Sequence, residues 1–379
     1  MFEGILKLVY RMYFLMKKKL IIIGNISSST RVFRAELLES LLKTYTVWLI
    51  AQFTPDDLKF FTDMGVKCIN LSIDRRGKNP LKDAILLMGY FRYIRAIQPD
   101  LVLTFTIKPN IYAGLVCRWL KVKYIATVEG LGTIFNTDAS FVNRCVQKLY
   151  GLGIRKAEAV FYLNDYIREV LLKLGVKEQQ LRYTPGMGVN LEKFTPQPYP
   201  PEHPFRLLTI GRIMKEKGIG EVLAASDELI KQIPDLEWHI CGAPEKGEEY
   251  WVEEMTKRPW IKYHGVVTDP RPMYAMVHTT TTTTYHEGLS TVCLESAACA
   301  RPILGSNING VKEVINDGSN GFLIKPHNAS NVVQIVMKFY KLKKEEKTNM
   351  GIMARKQVKE KFNRKKVIEI YERAIISFI

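Results

Sequence analysis

In the stretch "HTTTTTTYHEGLSTVCLES", residues 278–296, two glutamates stand eight residues apart, Glu287 and Glu295, behind six consecutive threonines. On one helix that spacing is a little over two turns, so both carboxylates would face a similar side. The N–H groups of Gly288, Leu289 and Ser290 would then open the helix and offer an anion site. Glu295, deeper along the axis, would accept two hydroxyl hydrogen bonds from a ribose. A second candidate is "LLTIGRIMKEKGI", which places Arg212 after Gly211 and Lys217 before Gly218. Glycine lets backbone approach a ligand, and an arginine and a lysine neutralise a diphosphate without a metal. The same residues also suit a solvated turn. Glu129, in "VEGLGTIF", could orient a sugar, stabilise positive charge, act as a base, or cap its glycine loop. His286 beside Glu287 reads as a positioning residue. Asn164 in "FYLNDY" faces the site or caps the next helix.

Strands are needed to aim these groups, and the chain supplies them. "KLIIIGN" is a β-rich run followed by the apolar-periodic "VFRAELLESLLKTY". The alternation repeats through "TVWLIAQ", "VKCINL", "DLVLTFT", "KYIATVE" and "AVFYLN". At residues 196–204, "PQPYPPEHP", five of nine residues are proline, which predicts a stiff domain linker. Beyond it the pattern restarts with "FRLLTIGR", "LEWHICG", "IKYHG", the threonine run and "RPILGS". The expectation is two parallel, doubly wound α/β domains facing each other across a cleft. The predicted division is residues 1–18, 19–195, the linker 196–204, 205–355, and a C-terminal helix 356–379 crossing back to the first domain. Threonine suits a strand but gains less from burial than valine or isoleucine, so weak packing is expected at the threonine run. Neither "GNISSST" nor "VEGLGTIF" completes a dinucleotide fingerprint, which argues against hydride transfer.

The 379 residues are 47% hydrophobic and 25% charged, which fits two globular domains. Six scattered cysteines form no C-x-x-C pair, so reduced thiols and no structural metal are expected. The net charge of +17 implies an anionic partner. Between residues 338 and 366 stand twelve Lys/Arg against three Glu, without the aromatic interleaving of a nucleic-acid module. Residues 1–16 are apolar apart from Glu3, Lys7 and Arg11, and as a helix would lie in a membrane interface instead of spanning it, or pack on the protein itself. The basic cluster 17–19 after them does not fit a secretory signal, so a cytoplasmic, peripheral location at the inner face of the plasma membrane is expected.

Gly211-Arg212, Lys217-Gly218 and the Glu-x7-Glu pair together resemble the donor site of family 4 retaining glycosyltransferases of the GT-B fold. "PGMGVNLEKFTP", "RPILGSNINGVKEVINDGSNGFLI" and the closing helix extend the resemblance over roughly residues 19 to 379. It implies that Arg212 and Lys217 hold a diphosphate, Glu287 contacts the donor sugar and Glu295 the ribose. It also implies that the backbone at Gly265 and Val266 reads the base. "FTIKPNIYAG", "TVEGLGTIF" and "DRRGKNPLKD" resemble the subgroup that builds bacterial surface polysaccharides on a polyprenyl diphosphate carrier. Asn25, Arg75, Arg76, Lys78, Lys108 and Asn110 would line the acceptor side, and Glu129 stands where many members carry histidine. The implied reaction is metal-independent transfer of a hexose or N-acetylhexosamine from a nucleotide sugar, with UDP expected. The expected partners are that donor, a polyprenyl-diphosphate-linked saccharide and an anionic membrane surface, not nucleic acid. A nucleotide-sugar epimerase of the same architecture, or a catalytically silent binding subunit, is the alternative.

Overall fold

The structure, a computed structural model, describes residues 17–74, 77, 79–132, 135 and 141–379. In the first unit β1 (Lys19–Ile26), β2 (Thr46–Gln52), β3 (Lys67–Asn70), β4 (Leu101–Phe105), β5 (Tyr124–Val128), β6 (Ala159–Tyr162) and β7 (Leu181–Tyr183) form one sheet. Its order is β3-β2-β1-β4-β5-β6-β7 and the pairings are parallel. Helices α1 (Ser27–Leu42), α2 (Pro55–Asp63), α3 (Pro80–Ile97), α4 (Ile107–Leu120), α5 (Phe141–Ile154) and α6 (Asp165–Lys173) make the crossovers. The apolar runs of β1 and β4 are buried along their length, as parallel strands covered on both faces must be. Helix starts are written locally. Thr54 and Asn79 accept N–H bonds from the first turns of α2 and α3, each with proline next in sequence. Asn164 caps α6 by accepting from the Ile167 N–H at 3.0 Å, which assigns it the capping role.

The second unit repeats the plan. Its sheet runs β10-β9-β8-β11-β12-β13, again with parallel pairings. The strands are β8 (Arg206–Ile210), β9 (Glu237–Cys241), β10 (Ile261–Tyr263), β11 (Thr279–Thr282), β12 (Ile303–Ser306) and β13 (Gly321–Ile324). Around them lie α7 (Ile219–Leu229), α8 (Tyr250–Thr256), α9 (Arg271–Met276), α10 (Thr291–Ala298), α11 (Ala329–Tyr340) and α12 (Lys344–Lys361). In each sheet the strand order reverses beside the first strand, between β1 and β4 and between β8 and β11. Doubly wound sheets bind ligands at the carboxyl ends of such strands.

The units divide differently from the sequence expectation. One comprises the chain up to Thr184 plus Ile368–Ile379, the other Pro185–Val367, so segment 196–204 belongs to the second unit. The reason is a buried arginine. Arg301 donates to the carbonyls of Gln197 (3.0 Å), Pro198 (2.6 Å), Tyr274 (2.8 Å) and Ala275 (3.0 Å). His278 completes the strap: its Nδ1 accepts from the Arg206 N–H at 3.0 Å and its Nε2 lies 2.9 Å from the Pro201 carbonyl. The single closing helix expected over 356–379 is two helices, α12 and α13 (Arg364–Phe378), broken at Phe362. The second of these carries the chain into the first unit. Among the described residues no helix is long and apolar enough to cross a membrane.

Candidate functional site

The threonine run occupies the second unit's switch point. Its first four residues are β11, held between β8 and β12, and Thr279, Thr280 and Thr281 are fully buried. Their hydroxyls all have partners. Thr279 donates to the Pro302 carbonyl (2.9 Å), Thr280 accepts from Ser296 (2.8 Å), and Thr281 donates to the Leu208 carbonyl (3.1 Å). Thr209 lies 2.7 Å from the Thr281 hydroxyl and accepts from the Trp238 indole at 3.0 Å. A buried hydroxyl is costly only when unpaired, so the weak packing expected at this strand is replaced by a hydrogen-bonded core.

Thr283 and Thr284 have left the strand and clamp the neighbouring loop. The Thr283 hydroxyl lies 3.1 Å from the Lys217 carbonyl and 3.0 Å from that of Gly218, while Thr284 and the Tyr285 N–H reach the Glu216 carbonyl at 3.3 and 2.9 Å. Tyr285 also donates to Glu221 at 2.6 Å. The approach demands glycine at 218: its φ is +71° and a Cβ would sit 2.3 Å from the Thr283 oxygen. Lys217, ending a tight turn over Lys215–Lys217, is thereby aimed at Glu287, and the two are ion-paired and partly buried.

The geometry of the glutamate pair differs from the expectation. Glu287 is not on the helix; α10 starts at Thr291, with Ser290 as its cap, the hydroxyl accepting from the Cys293 N–H at 3.4 Å. The Ser290 N–H is spent on the Gly310 carbonyl (2.7 Å), so the helix-start donors lie at Thr291 and Val292 instead of Gly288, Leu289 and Ser290. Gly310, which the sequence reading did not single out, has φ +87° and packs where a Cβ would come within 2.5 Å of the Glu287 carbonyl oxygen. Glu295 is on α10. Burial pushes its carboxyl up to about 7, although the Tyr274 hydroxyl donates to it at 2.9 Å. A buried acid shifted this way on the helix that follows Glu287 is a candidate functional group.

Two further loops end at this edge. Gly211 and Gly242 touch backbone to backbone: a Cβ on Gly242 would lie 1.7 Å from the Gly211 oxygen. Arg212 reaches Glu245 at 2.5 Å and is half exposed. Gly265, at φ +63°, accepts from the Gly242 N–H at 2.7 Å, and Val266 beside it is 72% exposed.

In the first unit Glu129 follows β5 and is ion-paired with Arg34 of α1. Arg34 is buried, stacks 4.1 Å over the Phe105 ring, and keeps its Nε without a partner. No motif points to Arg34, because its partner lies 95 residues away. Glu129 is thus braced by an arginine. Asn25 follows on the β1 end and its Oδ1 is buried without a hydrogen bond, as is the Thr106 hydroxyl at the end of β4. Two of the acceptor-side residues are engaged within the fold. Asn110 is fully buried, with Thr104 (2.7 Å), the Thr127 carbonyl (2.9 Å) and Tyr150 (3.2 Å) as partners, so it is structural. Lys108 is tied to Asp83 (2.6 Å) and the Gly77 carbonyl (2.9 Å). Arg75, Arg76 and Lys78, like residues 1–16, lie outside the described residues.

Residues 192–357 match the family of glycosyl transferases group 1, and residues 23–164 match the glycosyl transferase 4-like family. The two matches fall one on each unit, and the chain belongs to the family 4-like glycosyltransferases of the GT-B fold. It is similar to the N,N'-diacetylbacillosaminyl-diphospho-undecaprenol alpha-1,3-N-acetylgalactosaminyltransferase of Campylobacter jejuni, 24% identical over 290 residues, which are 71% of this chain and 75% of that one. A putative colanic acid biosynthesis glycosyltransferase, WcaL of Escherichia coli, is 22% identical over 259 residues, 64% of this chain and 63% of that one. Among solved structures, Anabaena Alr3699/HepE in complex with UDP and glucose matches in fold with a TM-score of 0.78. That match has 14% identity and covers 95% of this chain and all of that one.

Proposed function

We propose that this glycosyltransferase moves a hexose or N-acetylhexosamine from UDP to a polyprenyl-diphosphate-linked saccharide, with retention at the anomeric carbon, in the assembly of a surface polysaccharide. The observation that carries the reading is the Lys217–Glu287 pair, clamped by Thr283 at the β8/β11 switch point with the start of α10 alongside. A diphosphate there would meet the Lys217 ammonium, the Arg212 guanidinium and the N–H groups of Thr291 and Val292, which stabilise the departing charge without a divalent ion. Glu287, released from Lys217 by the incoming phosphate, accepts hydroxyls of the donor sugar, and Glu295 in its ionised form accepts those of the ribose. The bond from C1 to the diphosphate oxygen breaks while the acceptor oxygen attacks C1 from the same face, and the acceptor proton passes to the leaving phosphate oxygen. The UDP in the complex of the Anabaena protein supports uracil as the base, and the activity named for the Campylobacter relative supports polyprenyl diphosphate as the carrier. The same reading places the enzyme at the inner membrane face.

Kinetics of Lys217→Ala and Glu287→Gln test the site. Removing one group that stabilises transition-state charge costs about 100- to 1,000-fold in kcat. A kcat within about threefold of wild type in both variants, at unchanged melting temperature, rejects the assignment.

A further inference from the structure

Helix α3 carries a face that its own fold does not use. Its inner side buries Leu86, Tyr90 and Ile94, as a crossover helix should. On the outer side Leu81, Ile85 and Met88 are 76, 69 and 60% exposed, and the same stripe continues at the same 4-3 spacing into Arg92 and Arg95, both exposed. An outward helical face is ordinarily polar, and three large apolar side chains in a row mark a contact surface. The helix's one carboxylate, Asp83, is taken by Lys108 at 2.6 Å and Tyr112 at 2.8 Å, so the exposed stripe holds no negative charge. On the next helix, α4, Arg118 and the 62% exposed Trp119 add a further cation and an interfacial aromatic.

We propose that the outer face of α3 docks the protein on an anionic lipid surface, with Leu81, Ile85 and Met88 entering the acyl boundary and Arg92 and Arg95 meeting the headgroups. Charge decides among occupants. A second copy of this chain would bring a like-charged stripe against Arg92 and Arg95, in a protein whose net charge is +17, whereas an anionic leaflet is complementary to both halves of the stripe. This inference does not depend on the glycosyl-transfer reading.

The test is co-sedimentation of the full chain with vesicles of phosphatidylcholine containing 30% phosphatidylglycerol, against phosphatidylcholine alone. The wild type is expected to bind the anionic vesicles, and less so at higher salt. The triple variant Leu81→Ser/Ile85→Ser/Met88→Ser is expected to lose at least tenfold in partitioning. Arg92→Gln/Arg95→Gln is expected to lose about fivefold per charge. A bimane placed at Ile85→Cys, with the exposed Cys145→Ser removing background labelling, should shift to the blue on anionic vesicles only. Unchanged partitioning of the triple variant, or no spectral shift at position 85, overturns the proposal. So does self-association that the triple variant abolishes while vesicle binding persists, which would assign the face to a second copy. Transfer to a water-soluble acceptor is expected to be equal in wild type and triple variant, so that failure of docking is read separately from failure of the enzyme assignment.

Discussion

At the scale of single residues, Glu295 carries two opposed predictions. Its carboxyl is raised to about 7 by burial, so the folded state holds the proton more tightly than the unfolded chain does. Its ionisation therefore costs stability from about pH 4.5 upward, the cost levelling off above about 7. Glu295→Gln is expected to be more stable than wild type by about 2 kcal/mol at pH 8, with the gain gone at pH 4, read from melting temperatures. The same substitution should weaken donor binding, because glutamine offers a ribose one acceptor oxygen where the carboxylate offers two. In wild type the donor KM should rise as the pH falls through about 7. Arg34 tests the first unit. Arg34→Met leaves Glu129 without its ion-pair partner and is expected to destabilise by about 3 kcal/mol, by analogy with the breaking of other buried pairs. These residues differ in how legible they were. Glu287, Glu295, Lys217 and Arg212 could be read from spacing and motif. Arg34, Gly310 and Tyr274 could not, because each acts through a partner distant in sequence.

At the scale of elements, the threonine run shows how a composition can mislead about packing and still be right about position. It does form the strand leading to Glu287, yet only four of its six residues are strand, and the last two are a clamp. Valine has nearly the shape of threonine, so Thr→Val substitutions separate the two jobs. Thr281→Val removes a donor from the buried Leu208–Thr281–Thr209–Trp238 chain and should cost about 1 to 2 kcal/mol with kcat unchanged. Thr283→Val also removes a buried donor and should cost a similar amount of stability, but it alone should lower kcat, about tenfold, by loosening the loop that aims Lys217. The reverse pattern, measured by denaturant unfolding and steady-state kinetics, would contradict this division. Strands with β-branched, apolar runs were visible in the sequence, whereas β7 follows a polar turn and buries only Leu181, and β13 opens on a glycine, which reads as a turn. The glutamate spacing suggested one helix. Ser290 decides otherwise, since a serine cap starts the helix after Glu287.

At the scale of the whole molecule, two doubly wound sheets were foreseeable from alternating strands and helices, but the boundary between units was not. A proline-rich segment reads as a free linker only if nothing holds it, and here Arg301 and His278 bind its carbonyls to the second unit. His278 has one ring nitrogen accepting and one facing a carbonyl, which fits the neutral ring alone, and burial depresses it to about 4; burial likewise depresses His239 to about 4. A histidine depressed in the folded state stabilises fully above its unfolded value near 6.5 and loses that stability as the pH falls toward 4. Glu295 acts in the opposite sense between about 7 and 4.5 and offsets part of this loss, and His239→Gln/His278→Gln should flatten the decline. Thermal melts from pH 7 to 4 check this. The central claim is tested most directly by incubating the protein with UDP- and GDP-sugars and polyprenyl-diphosphate-linked saccharides in the presence of EDTA, and reading products by mass spectrometry and anomeric coupling. The expected result is an acceptor one sugar heavier, formed from a UDP-sugar with the donor's anomeric configuration kept, and absent with Lys217→Ala. A requirement for divalent metal, an inverted linkage, or conversion of the donor without any acceptor would contradict it.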